Sequence, residues 1–442
     1  MKKLLAGAGA INITPQKPMF LHGYPHVERV SEGTHDPLYA AALILDNGET
    51  QIGFCTADVL YISAEITREV RRAVQEKTGI DGKNLMISAT HTHSGPVTVS
   101  DIFYDPVVPR ADEEYIAWLR EKLVRVYVEA YQNRKESKIG FAAADALGIG
   151  GNRRSKTDAV DPEVPIVVLR DSDTDKIFAM STVYCMHPTV LHEDSKLYSA
   201  DFPGYTREYI KKEFGEDIVF LYHTGPAGNQ SPRHFIKSNS FAEAERLGTM
   251  LGKRIADSVL KLDEADFKDW VVISAKHTEV MLPEKKFMKT SEAEQKVNFV
   301  KNKLDRMIRE GYPASEIRTV ECDWFGAEEN NQLAKMAEDG KLHKIYKSVL
   351  PLKIDVMRIA QKQFIFMPGE MFVEYSLMIK QEISNSYVVS LSNGVLYGYI
   401  VTEEAEKEGG YEASNSIFPA KSGKIMVKET LSLISDKTNN SK

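Results

Sequence analysis

Two imidazoles stand two residues apart in Thr90-His91-Thr92-His93-Ser94-Gly95-Pro96, where the apolar run Leu85-Met86-Ile87-Ser88-Ala89-Thr90 gives way to a Gly-Pro turn. In an extended chain, residues at that spacing face the same side, so His91 and His93 are predicted to aim into one cavity at a sheet edge. Neutral imidazole is a common zinc ligand; an ordinary hydrogen-bonded pair is the competing reading. His187-Pro188-Thr189 comes directly after a second apolar run, with His192 close behind it. A structural histidine fits that position too, but two histidine-bearing strand ends in one chain make a shared site credible.

Three further segments offer polar groups at or near the ends of predicted strands. Gly225-Pro226-Ala227-Gly228-Asn229-Gln230-Ser231-Pro232-Arg233 follows Ile218-Val219-Phe220-Leu221-Tyr222. Its glycines would let backbone amides approach a substrate oxygen. Ser231 is then a nucleophile or a hydrogen-bonding group, unless the segment is a plain turn. Met367-Pro368-Gly369-Glu370 ends an apolar strand with a carboxylate able to complete a metal site, or with a solvated acid in a turn. The stretch Asn393-Gly394-Val395-Leu396-Tyr397-Gly398-Tyr399, with Tyr411-Glu412 beyond it, carries tyrosines whose usual role is packing. Asp58 is read as a partner that fixes a ligand histidine, with a buried turn aspartate as the alternative. Gly7-Ala8-Gly9-Ala10 and Gly148-Ile149-Gly150-Gly151 are glycine-rich. Neither opens a helix after a strand, as a dinucleotide fingerprint must.

The elements that must position these groups are legible as alternating strands and helices. Residues 38–46 and 51–58 read as a hairpin turned by Asn47-Gly48. Helical spacing of Ile66, Val70, Ala73 and Val74 predicts a helix over 63–78. A short buried strand covers 85–90, and a long amphipathic helix covers 112–133. Strands at 164–170 and 177–186 flank an Asp-rich turn. Leu247, Leu251, Ile255 and Val259 share one face of a helix over 240–261. Residues 284–347 are Lys- and Glu-rich and mostly helical, read as a solvated helical elaboration or as a lid. Strand patterns return at 363–367 and 387–391. Hairpins among helices argue for a mixed α/β fold.

Composition narrows the class. The chain has 442 residues, 43% hydrophobic and 27% charged, with a formal charge of −7. That balance is globular and lacks the basic footprint of a nucleic-acid binder. Cys55, Cys185 and Cys322 are odd in number, widely spaced and without a CxxC pair, so they are expected to be free thiols in a reducing compartment. The glycine-broken start is too short an apolar run for a signal peptide. No run approaches the roughly 18 residues of a transmembrane helix. A cytoplasmic protein is expected, compatible with a homo-oligomer.

The five chemical segments, in this order, resemble the catalytic domain of the neutral/alkaline non-lysosomal ceramidases, from Ile13-Thr14-Pro15 to Tyr411-Glu412. The resemblance implies one large α/β catalytic domain over 1–435, with mixed sheets flanked by helices and the elaboration 284–347. A polar tail, 436–442, would follow, without the C-terminal immunoglobulin-like domain of full-length ceramidases. It implies a Zn²⁺ ion held by His91, His187, Glu370 and Tyr399, with His93 as the acid/base beside it. Arg153, in Gly151-Asn152-Arg153, would face the scissile carbonyl, and Tyr411 would help hold the tetrahedral intermediate. Ser231 matches the serine of the family's Gly-Asp-x-Ser-Pro-Asn motif and is assigned to substrate positioning. Here that motif reads Gly228-Asn229-Gln230-Ser231-Pro232-Arg233, so Asn229 replaces its Asp and Arg233 its final Asn.

The implied activity is zinc-dependent hydrolysis of the N-acyl bond of a small-molecule or lipid amide, including sphingolipids. The same metal centre would also serve an ester, a lactone or a small N-acyl sugar or amino acid. A non-catalytic, metal-stabilised binding protein is the reading from another class. His93, Arg153 and Tyr411 argue against it, since a structural zinc site is closed and needs no acid/base partner.

Overall fold

The computed structural model describes residues 2–24, 27–100 and 107–436. The first sheet contains β1 (Leu5–Asn12), β2 (Tyr39–Asp46), β3 (Gln51–Ala57), β4 (Leu85–Ala89), β5 (Lys135–Asp145), β6 (Glu163–Asp171), β7 (Ile177–Tyr184) and β8 (Val219–Thr224), in the order β8-β7-β6-β5-β1-β2-β3-β4. β2 and β3 form the predicted hairpin. Gly48 takes φ +81° at its turn, and the Asn47 side-chain oxygen accepts from the amides of Glu49 and Thr50. β3 and β4 run parallel and so need a crossover, supplied by α1 (Ala64–Thr78). Ser63 caps its start through the Ile66 amide and Gly79 ends it at φ +78°.

α2 (Glu113–Gln132) lies on β1 and explains the Gly7-Ala8-Gly9-Ala10 run. A Cβ on Gly7 would stand 2.2 Å from the Ala130 carbonyl oxygen. Small residues in the strand let the helix backbone descend onto it. α3 (Phe202–Phe214) and α4 (Phe241–Val259) cover the other half of the same face, and the predicted stripe Leu247, Leu251, Ile255 and Val259 is buried there.

A second sheet contains β9 (Ile273–Val280), β10 (Leu352–Ile359), β11 (Lys362–Phe366) and β12 (Ser386–Val389), in that order. It carries α8 (Val373–Glu382) and α9 (Lys421–Ser435) on its far side, with α5 (Thr290–Glu310), α6 (Ala314–Glu338) and α7 (Lys341–Val349) making up the helical elaboration. Strand alternation sorts the apolar residues into layers. Ala40, Ala42 and Ile44 pack under the helices, while Ala41, Leu43 and Leu45 face the second sheet. In β11, Phe364 and Phe366 face the first sheet and Ile365 faces the helices behind. Phe54 and Phe366 meet between the sheets with ring centroids 5.2 Å apart. The result is helices, sheet, sheet, helices: mixed sheets flanked by helices, as predicted. Beyond Asp436 the expected polar tail lies outside the described residues.

Candidate metal centre

The site forms where the strand ends of the two sheets meet. β4 stops at Ala89, and His91 takes φ +68° with its amide on the Val59 carbonyl. The turn directs its ring inward, with Nδ1 3.0 Å from the Leu60 carbonyl oxygen. β7 stops at Tyr184, and the His187 ring places Nδ1 2.5 Å from the Ala227 carbonyl oxygen and 3.1 Å from that of Gln230. A carbonyl only accepts, so both rings carry a proton on Nδ1 and turn Nε2 to the interior. Glu370 arrives from the second sheet. Glu370-Met371 pairs in parallel with Tyr399-Ile400, which puts Glu370 beside Tyr399. Its Oε2 stands 3.0 Å from His187 Nε2 and 3.5 Å from His91 Nε2. Its Oε1 accepts a 2.6 Å hydrogen bond from the Tyr61 hydroxyl.

His93 joins this group, although the reason differs from the sequence expectation. The chain is not extended here, because the left-handed turn at His91 re-aims the backbone. The His91 and His93 ring centroids nevertheless lie 4.9 Å apart. The nitrogens of His91, His93 and His187 can all lie within 4.8 Å of one another. Neither ring nitrogen of His93 has a hydrogen-bond partner among the described residues. Gly23 packs on the ring: its φ is +120°, and a Cβ there would stand 2.5 Å from His93 Nδ1.

Electrostatics separates the members. Burial would raise the Glu370 carboxyl, but His91 and His187 outweigh it and hold it well below the usual carboxylate range. Burial, with His91 and His187 adding to it, holds His93 well below the ordinary imidazole value. Burial likewise lowers His187 and raises the Tyr399 and Tyr411 hydroxyls far above the phenol value.

With protonated rings the two Nε2 atoms pair with the Glu370 carboxylate; with neutral rings the same atoms and the carboxylate are lone-pair donors turned on one point, which a cation would hold together. Two ligands about 2.0–2.2 Å from one tetrahedral zinc ion stand roughly 3.3–3.6 Å apart; Glu370 and His91 have that spacing at 3.5 Å, while Glu370 and His187, at 3.0 Å, stand at hydrogen-bond distance. The donor set of nitrogen and oxygen atoms suits zinc. These residues fit a metal ion.

Beside the group is a cavity of about 120 Å³, lined in part by His22, Tyr24, Tyr61, Tyr399 and Tyr411. Sequence reasoning missed His22, Gly23, Tyr24 and Tyr61. Leu21-His22-Gly23-Tyr24 carries the one usable signal, a glycine between two polar aromatic residues.

The model for the neutral/alkaline non-lysosomal ceramidase N-terminal domain matches residues 4–232. The chain belongs to this family. It is 23% identical over 226 residues to the neutral ceramidase of Drosophila pseudoobscura pseudoobscura, covering 47% of this chain and 32% of that one. It is 22% identical over 253 residues to the neutral ceramidase of Pseudomonas aeruginosa, covering 53% and 38%. The chain thus spans about a third of the length of these curated relatives. The crystal structure of the Pseudomonas aeruginosa neutral ceramidase superposes with a TM-score of 0.75 at 17% identity, covering 98% of this chain and 74% of that one. At that identity the likeness establishes the fold.

Arg153, Ser231 and Asp58 stand outside the cavity lining. Arg153 does not line the cavity. Its Nε pairs with Glu412 at 2.7 Å and its guanidinium lies 5.4 Å from the centre of the Tyr399 ring, so it backs the tyrosine. Ser231 does not line the cavity either. Gln230-Ser231 pairs with Gly151-Asn152, and Ser231 Oγ accepts from the Arg233 amide, which makes it part of the turn holding the Arg153 segment. Asp58 serves neither histidine. Its carboxylate takes the Tyr39 amide and Arg207, both at 2.9 Å, while backbone carbonyls orient the histidines. The departures from the ceramidase motif have local partners. Asn229 donates to Glu374 at 2.9 Å and accepts from the Val373 amide, so an aspartate there would face a second carboxylate. Arg233 reaches Thr319 of α6 at 3.2 Å, tying the motif to the helical elaboration.

Proposed function

We propose that the chain is a zinc-dependent amidohydrolase cleaving an N-acyl bond, with His91, His187, Glu370 and Tyr399 as the ligands. The observation that carries this reading is the pair of Nδ1-anchored imidazoles turning their Nε2 atoms to Glu370. Family membership supports the amide bond as the target. When bound, zinc supplies Lewis acidity and makes water a competent nucleophile near neutral pH.

The chain's own residues do the rest. Gly23 covers His93 Nδ1, which leaves Nε2 to take the proton of the attacking water and return it to the leaving nitrogen. The carbonyl carbon gains the water oxygen, the C–N bond breaks, and acid and amine result. Tyr411 lines the cavity and donates to the developing oxyanion. Arg153 acts one step back, holding Tyr399 between the cavity and Glu412.

The test is hydrolysis of N-acyl amides, from N-acetylated small molecules to a long-chain ceramide, followed by mass spectrometry with and without chelator. Chelator-sensitive release of amine is expected. Intact amides in the presence of tightly bound zinc would defeat the reading and move esters and lactones forward.

A further inference from the structure

One wall of the cavity comes from the helical elaboration. α6 places Glu329 and Gln332 against the cavity, beside Asn415. The helix is fastened along its length. Arg318 pairs with Glu193 at 2.9 Å, Arg233 bonds Thr319, and the Asn330 amide donates to the Ser414 carbonyl at 3.2 Å. Gly326 lets it approach closely, since a Cβ there would stand 3.1 Å from that of Ser414. In this arrangement α6 closes one side of the cavity.

That wall is polar. Glu329 is buried and accepts only when ionised. The Asn415 side chain is 3% exposed, and its Oδ1 has no partner while its Nδ2 donates to the Tyr411 carbonyl. A buried acceptor without a donor costs free energy unless a ligand satisfies it. Around these acceptors stand the tyrosines of the cavity, and among the described residues its aliphatic lining is limited to Leu60 and Val108. Ordinary ligand pockets are roughly 300–1,000 Å³; this one is smaller, and Glu329, Gln332, Asn415 and five tyrosines are among the residues that line it.

We propose that the substrate is a short-chain N-acyl amino sugar or similarly hydroxylated amine, whose hydroxyls are read by Glu329, Gln332 and Asn415. This rests on the amidohydrolase reading. Acceptors on the wall take hydroxyl donors, and flat tyrosine faces take the C–H face of a sugar ring. A long lipid chain would bury methylenes against the Glu329 carboxyl and leave the Asn415 Oδ1 without a donor.

The experiment compares zinc-loaded enzyme on N-acetylglucosamine, on an N-acetyl alkylamine without hydroxyls, and on long-chain ceramide in mixed micelles. N-acetylglucosamine should have the highest kcat/KM. E329Q, isosteric and checked for an unchanged melting temperature, should lower the ratio of N-acetylglucosamine to N-acetyl alkylamine by roughly 10- to 100-fold, the value of a hydrogen bond to a charged group. Q332L should lower it less. An unchanged ratio in both variants, or preferred cleavage of ceramide, overturns the proposal. Binding of glucosamine is measured by calorimetry in parallel. If no amide is cleaved, the reaction class fails, and glucosamine binding that weakens in E329Q still upholds the hydroxyl subsite. Absence of that binding overturns it.

Discussion

His91 and His93 differ by one hydrogen bond, and that difference sets their expected roles. His91 Nδ1 is anchored on a carbonyl, as a metal ligand usually is, whereas neither nitrogen of the His93 ring has a hydrogen-bond partner among the described residues. His91→Ala is expected to lose both zinc, measured by atomic emission, and activity. His93→Ala should retain zinc and lose roughly 10²–10⁴ of kcat; loss of zinc as well would make His93 a ligand instead. Tyr61 holds Glu370 from the side away from the histidines. Tyr61→Phe should weaken zinc binding roughly 10- to 100-fold in chelator competition. His91, His93, His187 and Glu370 were singled out by type and by their place at strand ends, whereas Tyr399 and Tyr411 read as packing residues and took site roles only through the family resemblance. Type does not reveal which partners stand nearest to Asp58 and Ser231. Arg207 and the Tyr39 amide claim the first, and the Arg233 amide the second.

At the scale of elements, hydrophobic period and turn chemistry recovered the β2–β3 hairpin and helices α1, α2 and α4 to within a few residues. What stayed hidden was their stacking. Period-2 alternation in β2 reads only as burial on both faces until the second sheet, more than two hundred residues on, supplies the other side. The parallel pairing of Glu370-Met371 with Tyr399-Ile400 is equally invisible, because two residues carry no period. The Gly7 run shows how a local oddity encodes a non-local contact. Gly7→Val would drive a side chain into the Ala130 carbonyl of α2 and should cost about 1–3 kcal/mol or more, read as a lowered denaturation midpoint. An unchanged midpoint would mean α2 does not sit down on β1.

At the scale of the molecule, His223 links the edges of the first sheet to the space between sheets. Its Nδ1 lies 2.7 Å from Ser88 Oγ, with Phe54 and Phe366 around it, and burial lowers its pKa to about 3. An unfolded histidine takes its proton near pH 6.5. Between about 6.5 and 3 the unfolded chain therefore binds more protons than the folded one, so stability falls as pH falls through that window, by up to about 1.4 kcal/mol per unit. Denaturant titrations from pH 7 to 5 should show this slope, and His223→Gln should flatten it. Zinc should act oppositely. At a hundredfold excess over Kd it adds about 2.7 kcal/mol, seen as a melting temperature that chelator lowers in the wild type but not in His91→Ala.

The proposed ligands enter the centre from both sheets, and this sets an order in time. His91, His93 and His187 leave the ribosome first, and Glu370 follows His187 by 183 residues (370 minus 187). A nascent chain that has completed only the first sheet carries imidazoles without their counter-charge. If the proposed ligands hold the metal, its full donor set exists only once Glu370 has docked, so metal capture is expected of the finished chain.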